Sequence, residues 1–322
     1  MAMPNISDIV ATTIEFRSKD IADNVLQHNA ALAMLSKAGN VREFDGGSQI
    51  NENISYAANT NAGSYSGYDT LPTAAQSNLT AAVFPISQYA VPLPFNGLEV
   101  AQNSGKEALI NLVEAKVKVA EDSLDNLINQ HIYLDGTGNN GKNLLGLAAA
   151  IPLANTNTYG GISRSTFTQW ANQKFQASVD GAGVATTGTS LINYWNTFIL
   201  SMTFGKRRPS CILAAPAVYS LYQSGLQNIQ RVTDADLGAM GFTTLEFQGI
   251  PVVFDTAASG ISSEVAYFVN TDFLHWRPHK DFNMVALDDK QAVNQDATVK
   301  TLVWYGNLTC SGSRYQGIFS NT

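Results

Sequence analysis

The chain has 322 residues, 45% of them hydrophobic and only 14% charged, with a formal net charge of −7. That length buries a substantial core and divides into two or more units. The acidic balance, with no Lys or Arg between Arg42 and Lys106, argues against free nucleic-acid binding for want of a basic patch to release counterions.

A soluble domain usually carries about 25% charged residues. Here Asn, Gln, Ser, Thr and Gly cover much of the surface instead, and such a surface repels its neighbours weakly. It suits extensive protein–protein contact. Residues 1 to 18 read as an arm. Lys19 to Lys37 has the spacing of a helix, with Ile21, Val25, Leu32 and Leu35 near one face and the Gly39–Asn40 pair as its stop. The N-terminus lacks a basic region followed by an apolar run, and no stretch approaches 18 apolar residues. The reading is of a cytosolic product.

From Val41 to Pro94 the character changes. SQINENISYA alternates through Ile50, Ile54 and Tyr56, with Glu52 as the polar exception. TAAVFPISQYAVPLPF is apolar and β-prone but carries Pro85, Pro92 and Pro94, which excludes a central strand and suits an edge. Between them lie about 20 residues rich in Asn, Gly, Ser, Thr, Ala and Tyr, a loop length compact domains seldom hold without external work for it. The pattern predicts a long two-stranded ribbon with a broad tip. Isolated hairpins are marginal in water, so the tip needs a neighbour to lie on, with Tyr65 and Tyr68 as aromatic anchors.

Ser104 to Leu134 is the longest uninterrupted helical pattern. Leu109, Leu112, Val113, Leu124, Leu127 and Ile128 form one apolar stripe, and Val117 and Val119 bring the middle of the helix into contact on more than one side. GTGNNGKN follows. Its spacing approaches that of a phosphate-cradling loop, but Asn143 stands where Ser or Thr should hold magnesium, and a helix precedes it where a strand is required. It reads as a turn closing the long helix.

Residues 157 to 188 are turn-rich, anchored by Trp170 and Phe175. A helix–strand–helix unit occupies roughly 189 to 245, and Thr244 to Phe254 and Val265 to Val269 read as strands. The C-terminal segment gives two strand-like runs around Gly306, the first apolar on both faces and so covered on both. It is expected to return to the sheet beside the long helix.

No constellation carries chemistry. Cys211 and Cys310 fit no metal or redox spacing and read as buried thiols. His275 and His279 are four apart, but Pro278 disfavours the helical face that would converge them. His131 is placed to complement the helix C-terminal dipole. The sequence lacks a GxSxG elbow, an HExxH, an EF-hand loop and a CxxC. The catalytic, cofactor and metal inventories are therefore empty, and the residues read as a structural protein.

The order of elements resembles that of tailed-bacteriophage major capsid proteins with the HK97-type fold. GGSQINENISYAANTNAGSYSGYDTLPTAAQSNLTAAVFPISQYAVPLPFNGLEVAQNSGKEALINLVEAKVKVA carries most of the resemblance, with IYLDGTGNNGKNLLGL and WYGNLTCSGSRYQGIF. The resemblance implies an α+β chain: N-terminal arm and helix over 1–38, and extended loop with its roots over 39–97. A peripheral domain follows over 98–188 with a spine helix at 104–134. The central axial domain takes 189–245, and 246–322 holds return and closing peripheral strands. It implies a shell of pentamers and hexamers around double-stranded DNA that is enclosed without specific binding. A portal protein, a separate scaffolding protein and a possible decoration protein are the implied partners, with assembly in the host cytoplasm. Asn61, Tyr65, Tyr68 and Leu71 become candidate inter-subunit contacts on the loop, and Leu109, Leu112, Leu124 and Ile128 pack the spine. Some members weld the shell through a loop Lys, and none stands from Asp45 to Gly105. The alternatives are an encapsulin-like or other virion shell protein, and a soluble enzyme with a composite site.

Overall fold

The computed structural model describes residues 29–55, 59–96, 106–226, 244–255, 260–288, 290–291 and 297–322. Side chains of 106–115, 244, 290–291 and 297–298 are outside that description. Among the described residues the strands form two main sheets, of six and four strands, and two small two-stranded ones, and the buried apolar residues fall into two clusters. This is the expected α+β class.

Helix α1 spans Ala30–Lys37, not the whole of Lys19 to Lys37. Asn29 is the reason. Its backbone is extended and its side chain accepts from the Ala31 and Leu32 amides at 2.9 and 3.2 Å, so it starts a helix there. Ile21 and Val25 lie outside the described residues. Strands β1 (Ile50–Ser55) and β2 (Leu79–Phe84) pair antiparallel, Ile50 opposite Phe84 and Ser55 opposite Leu79. Strand β3 (Ser87–Asn96) leaves this ribbon and pairs along its length with β13 (Ala297–Cys310). Pro92 and Pro94 sit on its exposed face, and the Pro94 carbonyl accepts from Lys116 Nζ at 3.3 Å. An edge tolerates a missing amide donor, so the strand survives three nearby prolines.

Helix α2 runs Lys106–His131, about 39 Å at 1.5 Å per residue. From Lys116 onward Val117, Ala120, Glu121, Leu124 and Ile128 are buried, a single stripe at helical spacing against β3. Val119 is 65% exposed, so within the subunit the middle of the helix is touched on one side and not two. Beyond the helix, Leu147 donates its amide to the Ile132 carbonyl at 2.6 Å, and Asn139 and Asn140 adopt left-handed backbone in the GTGNNGKN turn. That turn closes the helix as read. Two short strands, β4 (Thr158–Tyr159) and β5 (Ile162–Ser163), form a small hairpin.

The six-stranded sheet has the order β6-β14-β10-β7-β9-β8, from Gln173–Gln176, Gly317–Ser320, Val265–Val269, Cys211–Ala214, Ile250–Phe254 and Thr244–Phe247. Helices α3 (Gly188–Met202) and α4 (Pro216–Gly225) cover it. Trp195 is the centre of that cluster, stacked on Tyr222 at 4.9 Å and edge-on to Phe247 and Phe268 at 5.4 Å. The second sheet sets β13 between β3 on one side and β11 (Leu274–Ala286) with β12 (Lys290–Gln291) on the other. Trp276 and Trp304 stack across it at 4.9 Å.

Two details of the C-terminal segment differ from expectation. Gly306 lies inside one continuous strand, with no turn there. A Cβ at that position would lie 2.6 Å from the Arg277 carbonyl oxygen and from the Trp304 ring, so glycine is required by close packing. Strand β13 returns to the sheet beside α2 as expected, pairing with β3, but the chain does not stop there. It crosses back at 311–316, and β14 enters the other sheet between β6 and β10. Asn270, just past β10, pins this crossing: its amide donates to Gln316 Oε1 and its carbonyl accepts from Gln316 Nε2, both at 2.8 Å.

Candidate assembly surface

The ribbon has a buried root and an exposed tip. At the root, Ile50, Glu52 and Ile54 turn inward with Ala82 and Phe84. Glu52 breaks the apolar alternation because it meets Arg277 of β11. Its Oε1 lies 2.7 Å from Arg277 Nη2 and accepts from Arg277 Nε at 2.8 Å and Thr309 Oγ1 at 2.9 Å. Phe84 meets Tyr159 edge-on at 5.2 Å, and Val83 donates its amide to the Gly160 carbonyl. Arg164 braces that hairpin from below. It is fully buried, lies over the Tyr159 ring at 4.8 Å, and donates to the Ala150 carbonyl at 2.6 Å and to Ser313 Oγ at 2.9 Å. Asn307, also fully buried, donates to the Pro85 carbonyl at 2.8 Å and accepts the Leu145 amide at 2.9 Å. It ties the β2–β3 link, the exit of α2 and strand β13 to one side chain.

The tip, residues 59–78, is organised by amide side chains. Gln76 accepts the Thr60 amide at 2.9 Å and donates to Asn61 Oδ1 at 2.8 Å, and Asn61 Nδ2 donates to the Ala74 carbonyl at 2.8 Å. Ser66 and Asp69 close a turn at the far end with two bonds of 2.8 Å. Asp69 is the single charged residue of this stretch. Tyr65, Tyr68 and Leu71 are 66%, 108% and 52% exposed, so Tyr68 touches almost nothing of its own chain. Fully burying such a side chain is worth about 1.5–3 kcal/mol, and the monomer forgoes that at three positions.

The candidate contact residues therefore separate. Tyr65, Tyr68 and Leu71 are on the surface. Asn61 uses both ends of its amide inside the loop, which is a framing position. Among the candidate packing residues of the long helix, Leu124 and Ile128 are fully buried, and Leu109 and Leu112 fall outside the described side chains. Sequence reading missed Gln76, Arg164, Arg277 and Asn307. Only the inward-facing Glu52 gave a signal, since a carboxylate on an apolar face demands a cation.

The titratable groups are settled by packing. His131 stands in the last turn of α2. Burial lowers its pKa, and its Nδ1 lies 2.7 Å from the Tyr89 hydroxyl. That hydroxyl, pushed up to about 12 by burial, keeps its proton and accepts the Leu144 amide at 3.0 Å. His275 is buried on β11, where burial and the nearby Arg42 and Arg277 cations hold it down to about 4 against the opposing pull of Glu52. His279 is four residues along the same strand, about 13 Å away at strand rise, so the two histidines do not converge. Cys211 and Cys310 are free, buried thiols raised to about 12. Among the described residues no group of three or more His, Cys, Asp and Glu is placed to hold a metal, and no helix is long and apolar enough to cross a membrane.

No protein-family model matches the sequence, and no curated protein sequence matches it. Solved structures match its fold. The Cyanophage A-1(L) capsid asymmetric unit aligns with a TM-score of 0.65 and 19% identity, covering 88% of this chain and 90% of that one. The capsid of Myoviridae Phage XM1 aligns at 0.53 and 12%, covering 88% and 90%. The capsid of the native GTA particle aligns at 0.54 and 10%, covering 89% of each chain. At these identities the likeness is one of fold, and it runs nearly the length of both chains. The fold is that of HK97-type capsid proteins, as the order of elements implied.

Proposed function

We propose that this chain is the major capsid protein of a tailed-phage virion, self-assembling as pentamers and hexamers into an icosahedral shell around double-stranded DNA. The observation that carries the reading is the ribbon. A loop of about 20 residues projects from an ion-paired root with its aromatic and aliphatic side chains facing solvent, a geometry with no use inside one subunit. The fold likeness to phage capsids supports it. In this reading 39–97 is the extended loop lying on a neighbouring subunit, α2 is the spine of a peripheral domain, and the α3–α4 unit is the core of the axial domain. Tyr65, Tyr68 and Leu71 fill apolar contacts on the neighbour, and the framing amides of Asn61 and Gln76 hold them in shape beforehand, lowering the ordering entropy of docking. The subunit does no chemistry: its mechanism is the summation of many modest interfaces. A portal, a separate scaffolding protein and decoration proteins complete the set of partners.

The test is expression with and without the tip, scored by sedimentation and negative-stain microscopy in the presence of the scaffold from the same virion. The intact chain is expected to close shells. Deleting Thr60 to Ala75 is expected to leave folded subunits that do not. Normal closure by the deletion variant would sink the role given to the loop.

A further inference from the structure

Lys206, Arg207 and Arg208 are the one run of three consecutive cations in the sequence, and folding adds a fourth beside them. Gly205, at φ +63, lets residues 204–207 close as a tight turn in which Phe204 and Arg207 exchange backbone hydrogen bonds of 3.0 and 3.1 Å. The turn presents Lys206, Arg207 and Arg208, all exposed. The crossing from β13 to β14 brings Arg314 to the same place. Arg207 lies 4.9 Å from the Tyr315 ring centroid and 5.2 Å from that of Phe273, and donates to the Tyr315 hydroxyl. Arg314 lies 4.2 Å from the Phe204 centroid and donates to Gln169 Oε1. The rings brace one another, Phe273 stacked on Tyr315 at 4.5 Å and Phe204 edge-on to Tyr315 at 6.0 Å.

None of the four cations is in an ion pair among the described residues. Asp272 is the one carboxylate on the adjoining 270–273 segment, and it is exposed. Two guanidiniums are thus held by their faces and by neutral acceptors, with the rest of their N–H edges left for a ligand. A planar fork held in place suits the paired oxygens of a phosphate. Lys206 and Arg208 flank it as exposed charges. In a chain of net charge −7 this concentrates positive potential at one spot.

We infer that the 204–208 turn with Arg314 is a binding patch for the phosphate backbone of nucleic acid, the place where the subunit touches packaged DNA. The identity of that polyanion rests on the shell reading. The aromatic faces are already covered by guanidiniums, so contact is with phosphates and is independent of base sequence. To DNA held by enclosure this adds a point of sequence-independent phosphate contact on each subunit.

The experiment uses full-length unassembled subunits and the anisotropy of a labelled duplex of about 30 base pairs over roughly 50 to 200 mM salt. The Lys206→Gln/Arg208→Gln variant leaves both stacked arginines in place, and circular dichroism checks its fold. Losing two phosphate contacts should make the log–log salt slope shallower by about 1.8. Lys142→Gln/Lys174→Gln, which removes two exposed cations elsewhere, should leave the slope unchanged. The inference is overturned if the intact chain does not bind the duplex, if the two variants behave alike, or if polyglutamate binds in a patch-dependent way and the duplex does not. Microscopy of the same samples with scaffold separates the two readings. Shells with patch-independent duplex binding remove the patch alone, and patch-dependent binding by subunits that never close a shell removes the shell reading alone.

Discussion

Root and tip of the ribbon are neighbours in sequence and opposites in physics. The root puts Ile50, Ile54 and Phe84 at 4% exposure or less and pairs the buried Glu52 with the partly buried Arg277. The tip puts Tyr68 fully into solvent and holds its shape with neutral side-chain hydrogen bonds. Stability inside the subunit is concentrated in one and withheld from the other. Tyr65, Tyr68 and Leu71 are left uncovered by their own chain, and under the proposed function a neighbouring subunit covers them.

The largest effect that would break this contrast is at the buried pair. Glu52→Ala strands Arg277, and urea unfolding should show a loss of about 3–5 kcal/mol; Glu52→Leu with Arg277→Met should recover most of it. A loss under about 1 kcal/mol would mean that the root is not anchored there. Next comes pH. The folded His275 is held at about 4 against 6.5 unfolded, so between those values the unfolded chain binds the extra proton. Stability should therefore fall as pH drops below about 6.5, by up to about 3 kcal/mol near pH 4, and His275→Gln should flatten that slope. Smaller again is Gln76→Ala, which removes the loop clamp. Global stability should move by less than about 0.5 kcal/mol, while amide exchange across 59–78 accelerates.

Much of the architecture was legible because it is periodic. The α2 stripe and the β1 alternation are local patterns, and the prolines of β3 announce an edge. What was not legible is what depends on contacts distant in sequence. Glu52 looked like an exception because its cation stands 225 positions away. Asn29 sits within a helical pattern and starts a helix there because its side chain caps α1. Gly306 looked like a break between two strand-like runs because the Trp304 ring and Arg277 carbonyl that demand glycine are invisible in one dimension. Three cations of the cluster, Lys206, Arg207 and Arg208, are consecutive and could be read along the chain, whereas Arg314 and the rings that hold the guanidiniums are brought there by the crossing at 311–316.

The most direct test of the central claim is a triple substitution, Tyr65→Ser, Tyr68→Ser and Leu71→Ser, measured for thermal unfolding of the subunit and for shell closure with scaffold. The account predicts an unfolding midpoint within a few degrees of the parent, since exposed side chains contribute little to the monomer, together with loss of closed shells. An unfolding midpoint that collapses, or shells that close as the parent's do, would contradict it.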